Sequence, residues 1–376
     1  LALSTSSRNH LAAARLLRLV SKLHGTRDLL FQLDEWTLIL GAFVGRSGGN
    51  SSGERLRIRF NSNTLFKGKT VRMISEAMFR SSLSASQNDT IVRQSFGTVL
   101  RGVLSRPCII SSTTSDSVST DIKILVSQSL RGMIVCTTSR NTTTMIEACV
   151  SIFPKIKHIL QRFHHGTLTA SSSLGSQQQT VLCAILKFLR DLSEALVPYV
   201  HHKTDFMKSF YETCMICLNC FRTYHLPRVR VAASGKIDDA DCKTVSAIVS
   251  LTNTIVSECI DDEDLSAVLS LVNSCLQIVL PLVAKSDMQI PKLQKNMFSL
   301  LRVMCESLRG AAAFVSLDSN SFNAFGRCLI FGTEHDNTEA IVDAYRAIRG
   351  LAVFRIKSQS SSSSSSFLDT FLAQLL

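Results

Sequence analysis

The sequence predicts an all-α protein, a HEAT/armadillo-like solenoid of antiparallel helix pairs. Three observations predict it. Apolar residues recur at helical spacing from one end to the other. Only 6 prolines and 17 glycines interrupt 376 residues, whereas a β-sandwich needs turn residues every ten or so positions. From about residue 203, helix–loop–helix units follow one another at roughly 40 to 50 residues, the period of such arrays. A chain of this length exceeds what one hydrophobic core usually supports, so it must divide or extend as a repeat array.

Taken in order, the periodicity predicts helices near 9–24, 29–44, 69–83, 88–104, 120–138, 143–164, 177–198, 203–224, 240–260, 264–284, 291–309, 319–331 and 337–354. The first has Leu11, Ala14, Leu17 and Val20 on its apolar face. Its arginines, its serines and the lack of an acid before Asp28 also resemble a transit peptide, but the amphipathic face fits a repeat helix better. The chain starts at Leu1 and is read as a fragment of a longer one. LRIRF at 56–60 alternates as a strand does, enough for one hairpin arm at most. GRSGGNSSGER at 45–55, SSTTSDSVSTD at 111–121 and TLTASSSLGSQQQ at 167–179 read as loops.

Further along, boundary residues define the helices. Pro291 suits a first helical position and Gly310 a helix end. Between them Leu293, Met297, Leu300, Leu301, Met304 and Leu308 form one face. Asp336 with Glu339 resembles a capping box, and the helix that follows should bury Ile341, Val342, Tyr345, Ile348 and Leu351. The organisation expected is a solenoid over 1–356, a Ser-rich linker over 357–366 and a short terminal helix over 367–376, too short to stand alone.

Residues 265–284, LSAVLSLVNSCLQIVLPLVA, carry no charge and are long enough to span a bilayer. Ser266, Ser270, Asn273, Ser274 and Gln277 nevertheless form a polar stripe, which lipid could not satisfy. No membrane insertion is expected.

The 12 cysteines are scattered through apolar segments, as packing residues in a reducing compartment would be. Cys214, Cys217 and Cys220 form C-x-x-C-x-x-C, the opening of a ferredoxin-type cluster site. They lie within the helical FMKSFYETCMICLNCF and lack a fourth cysteine followed by proline, so packing is the better reading and neither metal nor cofactor is expected. The histidine pairs 164–165 and 201–202 read as helix ends. Acidic runs at 238–243 and 261–264 precede helices, where acids favour the dipole. No metalloprotease, nucleophile-elbow, phosphate-loop or dinucleotide motif occurs, and no enzymatic activity is expected.

Charge is uneven. Of the net +12, residues 1–110 supply +10, with 16 Lys and Arg against 6 Asp and Glu. Arg55, Arg57, Arg59, Lys67, Lys69 and Arg72 are candidate contacts to an acidic partner, against the alternative of a solvated loop. Phe60 and Phe66 are too few aromatics to favour nucleic acid.

FYETCMICLNCFRTYHLPRVRV at 210–231, IVLPLVAK at 278–285, Ile290–Pro291 and LLRVMCES at 300–307 resemble the C-terminal part of the exportin-4 family. SLRGMIVCTTSRNTTTMIEACVSIFPKIKHIL at 129–160 follows the same order of helices. The resemblance implies a karyopherin of the importin-β superfamily. Such a receptor binds Ran-GTP, nucleoporins and a protein cargo, translation factor 5A among those the family is associated with. It shuttles between nucleus and cytoplasm and carries out nuclear export. No family binding residue transfers to a position here. The alternatives are a generic HEAT/armadillo interaction scaffold without Ran control, and a mitochondrial or nucleic-acid-associated helical repeat protein.

Overall fold

The computed structural model describes residues 7–23, 68–84, 97, 100, 127–138, 141–166, 172–200, 204–227, 239–259, 266–283, 291–315, 319–358 and 373. Every regular element among them is helical, so the predicted all-α class holds. Two compact units divide the chain, Leu1–Tyr199 and Val200–Leu376.

In the first unit, α1 (Ser7–Val20) packs on α2 (Gly68–Ser84), a helical segment at 127–134 follows, and α3 (Thr142–Gly166) and α4 (Ser172–Val200) complete it. On α1 only Ala14 of the predicted face is fully buried, while Leu16 and Leu19 are exposed. The segment at 127–134 crosses α2 closely. A Cβ on Gly132 would lie 2.6 Å from the Arg72 carbonyl oxygen and 2.8 Å from Ser75 Cβ, so only glycine fits that crossing. There Ser75 Oγ donates to the Ser129 carbonyl at 2.6 Å. Asn141 anchors the entry to α3, its Oδ1 accepting from the Thr138 N–H at 2.7 Å and its Nδ2 donating to the Cys136 carbonyl at 2.8 Å. Helix α3 then buries Met145, Cys149, Ile152, Phe153, Ile156 and Leu160 at helical spacing. The polar stretch expected to be a loop over 167–179 is helical from Ser172. It holds no breaker beyond one glycine, and Gln179 is already buried against the core.

The second unit runs α5 (Thr204–Cys220), α6 (Asp239–Cys259), α7 (Ser266–Val283), α8 (Pro291–Glu306), α9 (Leu308–Val315), α10 (Ser319–Thr333) and α11 (Thr338–Ser358). Its contacts alternate. Helices α5, α7 and α10 stack in sequence, as do α6, α8 and α11. Helix α6 also packs on α7, and α10 on α11, linking the two rows. Helices α6, α8 and α11 begin at residues 239, 291 and 338. That spacing of about 50 residues lies at the long end of HEAT-type arrays. Each row buries what a single pair would leave in water, with Phe210, Phe221, Phe298, Phe314 and Phe325 fully enclosed. Each such side chain contributes about 1.5–3 kcal/mol by burial.

Helix α5 does not run on to residue 224 as an α-helix. It widens into a π turn at Phe221–His225, where the Leu226 N–H donates to the Phe221 carbonyl. The extra residue lets the Phe221 and His225 rings stack, centroids 5.6 Å apart, inside the core.

Three boundary readings change. Gly310 does not end α8, which stops at Glu306. It lies buried within α9, where a Cβ would collide with the Met304 carbonyl, so its role is close approach. Leu308, now the first residue of α9, is exposed. The cap of α11 is Asn337 and not Asp336: its Oδ1 accepts from the Glu339 N–H at 2.9 Å. Helix α11 turns its small residues inward, burying Ala340, Ala344, Ala347 and Leu351, while Val342 and Tyr345 are 44% and 58% exposed. The reason is the α8 crossing, so tight that a Cβ on Gly350 would strike the backbone carbonyl of Cys305. Alanine admits that approach, and larger side chains do not.

On α7 the polar stripe is in place. Ser266, Ser270, Asn273 and Gln277 face outward, Gln277 Oε1 accepting from Arg222 Nη1 at 2.9 Å, with Ser274 turned inward. No helix among the described residues is long and apolar enough to cross a membrane. The segments at 29–44, 45–55, 56–60, 111–121, 261–264 and 359–366, the second histidine pair and most of 88–104 and 367–376 lie outside the described residues.

Candidate interaction site

Of the six predicted contact residues, Arg55, Arg57, Arg59 and Lys67 lie outside the described residues. Lys69 and Arg72 sit on the first turns of α2, Lys69 exposed and Arg72 half-buried. Arg72 is only partly solvated. Its guanidinium points to Asp191 on α4, 3.6 Å away. Burial and the nearby Arg131 guanidinium pull its pKa down, while Asp191 and Glu76 pull it back up.

Around Arg72 the first unit assembles a charge cluster from four separate elements. Glu76 of α2, almost fully enclosed, receives Arg18 Nε of α1 at 2.8 Å and Arg80 Nε, one helical turn on, at 3.1 Å. Asp191, also enclosed, receives Arg131 Nε from the 127–134 segment at 2.6 Å and Arg190 Nη2 at 2.6 Å. Arg80 also donates to the Val135 carbonyl at 3.2 Å, and Arg190 reaches Glu194 at 3.5 Å. Five arginines therefore surround Glu76, Asp191 and Glu194, which leaves a net positive surface. Arg18 and Arg72 are the most open, each about a third exposed, and a guanidinium with one carboxylate partner keeps N–H donors free for another. Two carboxylates fix the geometry, and the excess arginines face outward.

Sequence reading found one member of this cluster, Arg72. Glu76 and Arg80 stand at i, i+4 on a predicted helix and could have been paired. Arg18 joins Glu76 across 58 residues and Arg131 joins Asp191 across 60, by tertiary packing that no local spacing records.

The cysteine triplet belongs to the core. Cys214 and Cys217 are completely buried and Cys220 nearly so. Burial pushes all three thiols up, Cys220 to about 11, so each stays a protonated, packed side chain at neutral pH. Among the described residues no group of three or more His, Cys, Asp and Glu side chains is arranged to hold a metal.

Comparison with known families adds one match. Residues 239–376 match the family model of the CRM1 C terminus. The matched stretch opens at the first residue of α6, so it covers the part of the second unit where the α6–α8–α11 row is built. The match points to exportin-type nuclear transport receptors, a transport family and not an enzyme family. No curated protein matches the chain.

Proposed function

We propose that this chain is part of an exportin-4-like nuclear transport receptor that binds Ran-GTP and protein cargo and carries the cargo out of the nucleus. The observation that carries the reading is the match of residues 239–376 to the CRM1 C terminus, over helices stacked in two alternating rows. The physical basis is the repeat architecture. Neighbouring repeats contact only one another, so curvature changes at modest cost and two ligands that prefer one curvature help each other bind. The cationic face of the first unit, with Lys69, Arg72 and Arg18 outermost, supplies long-range attraction for an acidic protein partner. Arg55, Arg57, Arg59 and Lys67, which lie outside the described residues, are further candidate contacts to the same acidic partner. Translation factor 5A is the cargo proposed by family resemblance, and nucleoporins are the further partners of transit.

Shuttling is the cellular consequence to test. In fused cells sharing one cytoplasm, the fluorescently tagged full-length protein should appear in unlabelled nuclei within minutes of photobleaching. Confinement of the signal to its compartment of origin would overturn the transport reading and leave an interaction scaffold.

A further inference from the structure

The charge cluster of the first unit holds more cation than it balances. Arg18, Arg72, Arg80, Arg131 and Arg190 carry five positive charges against three negative ones on Glu76, Asp191 and Glu194, a surplus of two. Arg80 and Arg190 are committed within the fold, Arg80 to Glu76 and the Val135 carbonyl, Arg190 to Asp191 and Glu194. The other three spend few of their N–H groups. Arg18 Nε lies 2.8 Å from Glu76 Oε2 yet is not aligned to donate a hydrogen bond to it. Arg72 stands 3.6 Å from Asp191, beyond hydrogen-bond reach. Arg131 donates to Asp191 through Nε. Among the described residues, the Nη groups of Arg18 and Arg131 and every N–H of the Arg72 guanidinium lack a hydrogen-bond acceptor.

These three side chains converge. The segment at 127–134 crosses α2 with Gly132 against the Arg72 carbonyl, which sets Arg131 beside Arg72. Glu76, one turn on from Arg72, draws Arg18 over from α1. Burial, then the charges of Arg131 and Arg18, press the Arg72 pKa down against the pull of Asp191 and Glu76. Three cations therefore share a space whose repulsion an anion would relieve. The enclosed carboxylates of Glu76 and Asp191 hold Arg18 and Arg131 in place, so little side-chain freedom is lost when a ligand arrives.

We propose that Arg18, Arg72 and Arg131 form a site for one phosphate monoester, a phosphoserine or phosphothreonine on the acidic protein partner of this face. Charge and shape select that group over a carboxylate. A phosphate monoester carries about −1.5 to −2 at neutral pH and offers three acceptor oxygens, which matches the surplus charge and gives one oxygen to each guanidinium. A carboxylate brings one charge and two oxygens. Guanidinium forks also fit phosphate oxygens in pairs. The site is open, with Arg18 and Arg72 each about a third exposed and Lys69 exposed one turn earlier on α2. Openness suits a side chain presented on a partner's surface, whereas a small molecule is usually enclosed in a concave pocket. The proposal rests on the reading of this face as a contact for an acidic partner and needs neither Ran nor export.

Fluorescence anisotropy of the full chain with a labelled Asp-Asp-phosphoserine-Asp-Asp peptide tests it, beside the same peptide with serine or glutamate at the centre. The phosphorylated form should bind about tenfold tighter than the serine form and about threefold tighter than the glutamate form. Arg72→Lys, which keeps the charge and loses the fork, should weaken the phosphopeptide about threefold, and Arg18→Gln about fivefold. Arg222→Gln, at an exposed arginine of the second unit, should change nothing. If Arg18→Gln unfolds α1, Arg72→Lys still decides. Equal binding of the phosphorylated and glutamate forms would overturn the proposal, as would a preference that Arg72→Lys leaves intact. Inorganic phosphate binding as tightly as the phosphopeptide would assign the site to the free ion and overturn it too. Failure here leaves the selectivity for Ran-GTP untouched, and equal capture of the two Ran forms leaves this preference untouched.

Discussion

Asp191→Asn isolates the charge of the first unit's cluster while keeping the side chain's shape. The carboxylate now balances Arg131 and Arg190 at 2.6 Å and Arg72 at 3.6 Å. After the change three guanidiniums lose the carboxylate they share, and only Arg190 keeps a direct acidic partner, Glu194 at 3.5 Å. Removing one partner of a buried pair costs about 3–5 kcal/mol. Arg131 is 11% exposed, but Arg190 and Arg72 reach water at 24% and 34%, so solvent takes up part of the repulsion. We expect a loss of about 2–3 kcal/mol, which for a unit of this size lowers Tm by roughly 5–10 °C. Urea unfolding of the full chain, followed by hydrogen exchange in α4, reads the loss in the right unit. The deficit should shrink between 10 mM and 500 mM salt as the exposed arginines are screened. Arg131→Met in the Asp191→Asn background should recover part of it, giving a coupling energy of at least about 1 kcal/mol. A loss under about 0.5 kcal/mol, insensitive to salt, would show that Asp191 holds no charge balance and would refute the cluster as described.

Other consequences concern the second unit. Gly350→Val should cost about 1–3 kcal/mol by denaturant titration, because the new side chain meets the Cys305 carbonyl at the α8–α11 crossing; a neutral result would mean the helices are further apart. Phe314→Ala removes a fully buried ring stacked 4.3 Å from Phe325 and should cost about 3–5 kcal/mol, whereas Phe331→Ala, on an exposed ring, should cost under about 1 kcal/mol. Burial raises the thiols of Cys220 to about 11 and of Cys275 and Cys328 to about 12. The folded chain therefore keeps protons that the unfolded chain releases above about pH 9. This contribution is fully present below pH 9 and is lost as pH rises from 9 towards 12, so unfolding midpoints should fall across that window, and less so in Cys275→Ala. A thiol reagent at pH 8 should label Cys214, Cys217 and Cys305 only at the rate of unfolding; fast labelling would place them at the surface.

Much of the second unit was legible because its signals are local. The apolar face of α8, the first-turn Pro291 and the polar stripe of α7 each follow from helical periodicity and from proline's missing N–H. What escaped the sequence was set by distance and by competition between faces. On α11 both sides are apolar, and the larger residues draw the eye to Val342 and Tyr345. The actual choice was made by α8, whose backbone approaches too closely for anything but Gly350 and the alanines. Gly310 shows the same effect: glycine near a helix end suggests a cap, yet here it admits the Met304 carbonyl. In the first unit, Arg72 read as a free cation because Asp191 lies more than a hundred residues away along the chain. The π turn at Phe221–His225 has no composition of its own, since it depends on packing two rings into one space.

Binding of full-length protein to Ran loaded with GTP, set beside Ran loaded with GDP, tests the transport reading most directly. The account predicts capture of the GTP form at least tenfold in excess of the GDP form, and release when the nucleotide is hydrolysed. Equal capture of both forms, or of neither, would contradict it and leave the stacked helices as a scaffold without nucleotide control.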